Sequence, residues 1–84
     1  MQITFKLFAM LEKYLPSHVR TGNVMPLELP EGSTIAQAIE PFALPAQLVK
    51  LVLVNGVYVA PEQRATHVLK EGDALAIWPP IAGG

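Results

Sequence analysis

The segment KLVLVNGVYVA, residues 50–60, restricts the possible folds of this chain more than any other. Two runs rich in β-branched residues flank the pair Asn55 and Gly56. A two-residue type I′ turn needs a positive φ at both central positions, and Asn-Gly adopts that conformation most readily. The sequence therefore predicts an antiparallel β-hairpin centred on this pair.

Three further segments have the pattern of β-strands. QITFKLF, residues 2–8, places apolar and polar residues alternately along its first six positions, as in a strand with one buried face. VMPLELP, residues 24–30, is a second strand, and its Pro26 confines it to a sheet edge because proline cannot donate to an inner ladder. ALAIWP, residues 74–79, is the last strand.

One helix is predicted in EGSTIAQAIEPF, residues 31–42. Thr34 is placed to cap it, Gln37 is the matching capping-box residue, and Pro41 should end it early. The element order is therefore β, β, α, β, β, β. A helix of about two turns covers only one face of a small sheet, so we expect an α+β fold whose other face is largely open to solvent.

Three of the aromatic residues are expected on that open face. If the first strand lies beside the last, the side chains of Phe8 and Trp78 point to the open face. Tyr58 lies at an outward-facing position of its hairpin strand. The alternative is that these side chains pack beneath a loop. An exposed face that carries aromatic residues is a candidate partner-binding patch.

Composition excludes several classes of function. The 84 residues suffice for one domain, 51% of them are hydrophobic, and a net charge of -1 provides no basic patch for nucleic acid. The chain has no cysteine, so disulfides and thiolate metal sites are excluded. We expect a cytoplasmic protein, since neither a signal-peptide pattern nor a membrane span is evident.

No group of side chains indicates catalysis. His18 and His67 are far apart and lie in loop-like sequence. Glu71 and Asp73 flank Gly72 in a turn pattern, which favours turn chemistry over acid-base catalysis. We expect no metal site and no catalytic side chain.

Four segments together resemble a known family: ITFKLFA, EGSTIAQAI, LVLVNG and LKEGDALAIWPPIAGG. They are similar to the MoaD/ThiS sulfur-carrier proteins, which are ubiquitin-like β-grasp domains that end in Gly-Gly. The double proline resembles the small subunit of molybdopterin synthase more than the thiamine-pathway carrier. The resemblance implies a β-grasp roll over residues 1–78, with a mixed sheet of four to five strands and one main helix on one face, followed by a flexible, extended tail at residues 79–84.

The resemblance also implies a chemistry at Gly84. A ubiquitin-activating-like adenylyltransferase would use ATP to adenylate the Gly84 carboxylate, and sulfur would then replace AMP to give a thiocarboxylate. The acceptor would be the large subunit of molybdopterin synthase, or an equivalent protein, acting in molybdenum or tungsten cofactor synthesis. The chain itself would be a carrier subunit that binds no cofactor, with neither nucleic acid nor a membrane as partner.

The tail residues suit insertion into a partner's active site. Glycine fits a channel too narrow for any Cβ atom, and prolines reduce the entropy lost on insertion. Six residues in extended form reach about 19 Å. The predicted insertion segment is Pro79, Pro80, Ile81, Ala82 and Gly83.

Three alternatives remain open from the sequence. The chain could be a thiamine-pathway carrier, or a ubiquitin-like modifier whose Gly84 is joined to lysines of target proteins. It could also be a non-covalent β-grasp interaction module with an inert tail. In the carrier interpretation, the activating enzyme and the acceptor bind the patch of Phe8, Tyr58 and Trp78 in turn.

Overall fold

The computed structural model describes residues 1–17 and 22–80 of the chain. Within these ranges there are five strands and one α-helix. The strands are β1 (Gln2–Leu7), β2 (Val24–Glu28), β3 (Leu51–Val54), β4 (Val57–Tyr58) and β5 (Ala74–Trp78), and the helix is α1 (Ile35–Ile39). Short 3-10 helices span Ala9–Tyr14, Glu40–Phe42, Ala46–Leu48 and Pro61–Gln63. This order is the predicted one.

The five strands form one mixed sheet in the order β2-β1-β5-β3-β4. β1 and β5 pair in parallel, while the other three pairings are antiparallel. The last strand of the chain therefore lies at the centre of the sheet, beside the first. This arrangement confirms the predicted mixed sheet with one main helix.

One face of the sheet carries the hydrophobic core. Phe5, Leu75 and Ile77 are fully buried there, and Ile35 of α1 packs into the same cluster. The ring of Phe42, just after α1, lies 4.7 Å from that of Phe5 between centroids. Because α1 and the 3-10 helix after it cover only this face, the other face of the sheet is left without a covering layer within the described residues.

Both ends of α1 lie where the sequence predicts them, at Thr34 and before Pro41. The Thr34 hydroxyl accepts a hydrogen bond from the Gln37 backbone N–H at 3.2 Å, and the Gln37 side chain accepts one from the Thr34 N–H at 2.9 Å. This reciprocal pair is the predicted capping box. The helix ends at Ile39, and Pro41 lies in the 3-10 helix that follows.

Pro26 occupies the free edge of β2, as predicted. Leu7 N–H donates to the Asn23 carbonyl, and Leu29 N–H donates to the Met1 carbonyl. The backbone N–H and C=O groups of the odd-numbered residues of β2 therefore point toward β1. The backbone groups of residues 24, 26 and 28 then point away from the sheet. Proline thus removes the central donor that a free edge would otherwise offer to another strand.

The predicted hairpin forms around Asn55 (φ 53°) and Gly56 (φ 84°), with Val54 paired to Val57. The Asn55 side chain also binds the turn that precedes β5. Its Nδ2 donates to Asp73 Oδ1 at 2.9 Å, and its Oδ1 accepts from the Ala74 N–H at 2.9 Å. Asp73 Oδ2 accepts from the Lys70 N–H at 2.8 Å, so one aspartate joins two turns.

Candidate partner-binding face and tail root

The open face of the sheet is largely apolar. Residues that pair in register point to the same side of a sheet. One row across all five strands consists of Val24, Lys6, Ala76, Leu53 and Tyr58. Four of these five are apolar or aromatic, and Tyr58 is 52% exposed. This row forms the middle of a surface that we call the open-face patch.

A second row completes the open-face patch. Leu51 pairs with Trp78 across β3 and β5, and these side chains are 38% and 39% exposed. The Phe8 ring stacks on Trp78 with a centroid separation of 3.8 Å and an interplanar angle of 4°. Phe8 also extends the β1–β5 pairing, since its N–H donates to the Ile77 carbonyl at 3.1 Å.

The structure thus places Phe8, Tyr58 and Trp78 on one face of the sheet. Phe8 is half-buried because it lies against Trp78, whereas Tyr58 and Trp78 are exposed rather than packed beneath a loop. That these residues bind a partner stays a prediction.

The last strand ends at the rim of this patch. The Trp78 carbonyl accepts a hydrogen bond from the Lys50 N–H at 3.1 Å. Pro79 and Pro80 follow and have no N–H with which to extend the ladder, and Pro80 is exposed. The chain therefore leaves the sheet from its central strand, beside the exposed indole.

Arg64 binds the backbone of the segment that pairs with the end of β5. Its guanidinium donates to the carbonyls of Val49 and Lys50 at 3.3 Å each, and its Nε donates to the Val59 carbonyl at 3.1 Å. Because the Lys50 N–H binds Trp78, Arg64 stabilises the backbone against which β5 ends.

The rest of the predicted tail lies outside the described residues. This applies to Ile81, Ala82 and Gly83 of the insertion segment and to Gly84, the predicted site of thiocarboxylation. His18 also lies outside the described residues.

Residues 1–17 and 22–80 contain no cluster of three or more His, Cys, Asp or Glu side chains that could hold a metal ion. No helix in those ranges has the length and hydrophobicity needed to cross a membrane. Glu71 and Asp73 make turn contacts: Glu71 Oε1 accepts from the Gln2 N–H at 2.9 Å, and Asp73 binds Asn55 and Lys70 as described. The candidate functional features of the described residues are the open-face patch and the tail root, which is the segment Trp78, Pro79 and Pro80 where the chain leaves β5.

Sequence reasoning did not single out Lys6, Leu51, Leu53 or Arg64. LVLV reads as a continuous apolar run, and only its pairing with β5 shows that Leu51 and Leu53 point away from the core. Lys6 occupies a polar position of the first predicted strand, but its isolation among apolar side chains depends on neighbours from other strands. Arg64 had no local signal, because its acceptors lie 5 to 15 residues away.

A family model described as Mut7-C ubiquitin matches residues 1–82. The chain belongs to this ubiquitin-like family. The resemblance to MoaD/ThiS-type β-grasp proteins inferred from the sequence is thereby confirmed at the level of family type and fold. Comparison with curated proteins gives no significant match.

Several solved structures share the fold. SAMP1 from Haloferax volcanii is 23% identical over 100% of both chains, with a TM-score of 0.68. A putative molybdopterin converting factor, subunit 1, from Pyrococcus furiosus is also 23% identical, over 96% of this chain and 99% of that chain, with a TM-score of 0.68. A chain in the complex of subunits 1 and 2 of molybdopterin-converting factor from Helicobacter pylori 26695 is 13% identical over 100% of both chains, with a TM-score of 0.57.

Proposed function

We propose that this protein is a sulfur carrier whose reactive group is the carboxylate of Gly84. In the first step, a carboxylate oxygen attacks the α-phosphorus of ATP in a partner adenylyltransferase, and pyrophosphate leaves. In the second step, hydrosulfide attacks the acyl carbon of the adenylate. The bond from that carbon to the bridging oxygen breaks, AMP leaves with this oxygen, and the thioacid releases a proton. The product is a thiocarboxylate. We expect the protein in the cytoplasm, where the thiocarboxylate donates its sulfur in the synthesis of the molybdenum or tungsten pterin cofactor.

One observation supports this proposal above the others. The central strand β5 leads directly into Pro79 and Pro80 at the rim of the open-face patch. A partner docked on the patch would therefore meet the chain where it leaves the sheet. The six residues after Trp78 span about 19 Å in extended form, which is enough to enter a buried active site.

The similarity to a molybdopterin-converting factor complex supports the choice of acceptor. The Helicobacter pylori structure is described as a complex of subunits 1 and 2, and one of its chains has the present fold. We infer a corresponding large-subunit partner for this chain, in addition to the adenylyltransferase. Both partners would use the open-face patch, so their complexes with the carrier should be mutually exclusive.

The patch and the tail should share the binding energy. Three aromatic side chains bury about 150–250 Å² each, and if half of this area is available, the gross gain is roughly 5–10 kcal/mol at about 25 cal/mol per Å². Association costs about 4–15 kcal/mol, which consumes most or all of that gain. Deletion of residues 81–84 should therefore weaken partner binding as well as abolish sulfur transfer.

The direct test is the intact mass of the protein after incubation with ATP, sulfide and the adenylyltransferase from the same organism. The proposal requires a free carboxylate on Gly84, so the mass of the protein purified from its native source is measured first. Exchange of oxygen for sulfur then adds about 16 Da. A variant with one alanine appended after Gly84 is the matched control and should stay unmodified. No mass gain in the unaltered protein, or an equal gain in the extended one, would exclude the mechanism.

A second candidate is a ubiquitin-like protein modifier. It is favoured by similarity to a structure described as small archaeal modifier protein 1 from Methanosarcina acetivorans, which is 20% identical with a TM-score of 0.68. In this case, Gly84 would form isopeptide bonds with target lysines. Peptide mass spectrometry of trypsin-digested cell extracts distinguishes the two, since lysines of other proteins that carry residues 71–84, the peptide released after Lys70, would indicate the modifier. An inert tail, with neither product, would leave a non-covalent interaction module.

A further inference from the structure

Lys6 is the one charged residue in the central row of the open-face patch. Its row neighbours are Val24 on β2 and Ala76 on β5, and the exposed indole of Trp78 lies in the adjacent row. Lys6 is half-buried, and within residues 1–17 and 22–80 its ammonium group makes no hydrogen bond or ion pair. The nearest carboxylate on its neighbouring edge strand, Glu28, pairs at the far end of the sheet with the Met1 amine, at 3.4 Å.

This position matters when the patch is covered. A lysine at the rim of an interface can keep its ammonium in water, but Lys6 lies among residues that a docked partner must contact. Removing an unpaired ammonium from water offsets much of what the patch gains by apolar burial, unless the partner supplies an anionic oxygen. The occupant of this face must therefore be apolar overall and anionic at one point.

We propose that the partners of the carrier present an apolar surface with one Asp or Glu carboxylate opposite Lys6, and that this ion pair selects them. The inference rests on the proposed function, because it specifies the chemistry of the partners that the carrier needs. Lys6 is then a specificity determinant. The aromatic residues supply contact area, and the ammonium lowers the affinity for apolar surfaces that lack an acceptor.

Other occupants fit the face less well. A second copy of the chain related by two-fold symmetry would place two Lys6 ammonium groups close together, and like charges in an interface repel. Addition of a strand at the edge is opposed by Pro26, which removes the central outward donor of β2, while β4 has only two residues. A single cation on a chain of net charge -1 does not provide the several contacts that a nucleic acid or anionic membrane requires.

The test uses the adenylyltransferase from the same organism, after the unaltered carrier has been shown to gain sulfur with it. Dissociation constants are measured by calorimetry at low and high salt for Lys6→Arg, Lys6→Met and Lys6→Glu. Lys70→Glu is the matched control, because Lys70 is exposed in the turn before β5 and, in the part of the chain that the structure describes, only its backbone makes hydrogen bonds. We expect Lys6→Glu and Lys6→Met to raise Kd by about 10- to 100-fold, and Lys6→Arg and Lys70→Glu by less than about 3-fold.

A second readout identifies the partner group directly. Carbodiimide joins an amine and a carboxylate that form an ion pair, so it should link Lys6 Nζ to one Asp or Glu of the adenylyltransferase, and the linked peptide should be absent with Lys6→Met. Thiocarboxylate formation by Lys70→Glu should stay within about 3-fold of the unaltered protein, because Lys70 lies outside both the open-face patch and the reacting tail. Melting curves confirm that each variant is folded.

Four results would overturn the inference. They are equal affinities of Lys6→Glu and Lys70→Glu, tighter binding by Lys6→Met, a stable dimer of the unaltered chain in light scattering, and Lys6-dependent binding to a single-stranded DNA 20-mer or to anionic vesicles. If the unaltered carrier gains sulfur but the Lys6 variants bind normally, only this inference fails. If the unaltered carrier gains no sulfur, the proposed function fails and this inference fails with it.

Discussion

Replacing Asp73 with alanine is expected to destabilise the fold without impairing the proposed thiocarboxylate formation. The Asp73 carboxylate accepts one hydrogen bond from Asn55 Nδ2 at 2.9 Å and another from the Lys70 N–H at 2.8 Å. These bonds join the β3–β4 hairpin to the turn before the central strand. Asp73 lies five residues before Trp78, which is about 16 Å along β5. It is therefore distant from the tail root.

The magnitude follows from the two lost hydrogen bonds. Bonds to a charged acceptor contribute about 1.5–3 kcal/mol each when they are shielded, and neutral bonds about 0.5–1.5 kcal/mol. Both bonds of Asp73 are solvent-exposed, and both donors can bind water after the substitution, so the lower range applies. We therefore expect the free energy of unfolding to fall by about 1–3 kcal/mol.

Urea denaturation measures this effect. With an m-value of about 1 kcal/mol/M, the midpoint should fall by roughly 1–3 M. A double-mutant cycle with Asn55→Gly, which keeps the positive φ of that position, should show a coupling energy of about 0.5–1 kcal/mol. Glu62→Ala is the control, because Glu62 is exposed and its carboxylate has no hydrogen bond among the described residues.

A midpoint shift equal to that of Glu62→Ala, or zero coupling with Asn55→Gly, would refute the structural role of Asp73. Loss of thiocarboxylate formation in a folded Asp73→Ala protein would instead indicate that the carboxylate takes part in the chemistry. The two results are separable because one is measured by unfolding and the other by mass.

Three further substitutions test other parts of the fold. Pro26→Thr restores an outward N–H on the free edge of β2, so we expect concentration-dependent self-association in sedimentation velocity experiments; a protein that stays monomeric would contradict this. Thr34→Ala removes the capping hydroxyl of α1 and should cost about 1 kcal/mol, seen as a melting temperature lower by about 4–8 °C, and an unchanged melting temperature would show that the cap is dispensable. Gly56→Ala should lower the free energy of unfolding by about 1 kcal/mol because of its φ of 84° alone, since nothing lies within 4 Å of the added Cβ. Gly22→Ala, which is equally open but lacks that φ, should be near neutral, and equal effects of the two variants would argue against backbone strain.

Features that depend on neighbours in the chain could be predicted from the sequence. The turn at Asn55 and Gly56, the capping box of Thr34 and Gln37, and the edge position of Pro26 each follow from preferences expressed within a few residues. The resemblance to a sulfur-carrier family added the expected topology, and the family match and the sheet order confirm it at the level of fold. The roles assigned to Gly84 and to the tail stay predictions.

Contacts between residues that are distant in sequence could be established only from the folded structure. The stacking of Phe8 on Trp78, the hydrogen bond from Asn55 to Asp73 and the outward direction of Leu51 all depend on β5 lying between β1 and β3. The isolation of Lys6 likewise depends on which side chains the neighbouring strands place beside it. The physical reason is that local preferences determine the type of each element, whereas register between strands determines which side chains share a surface.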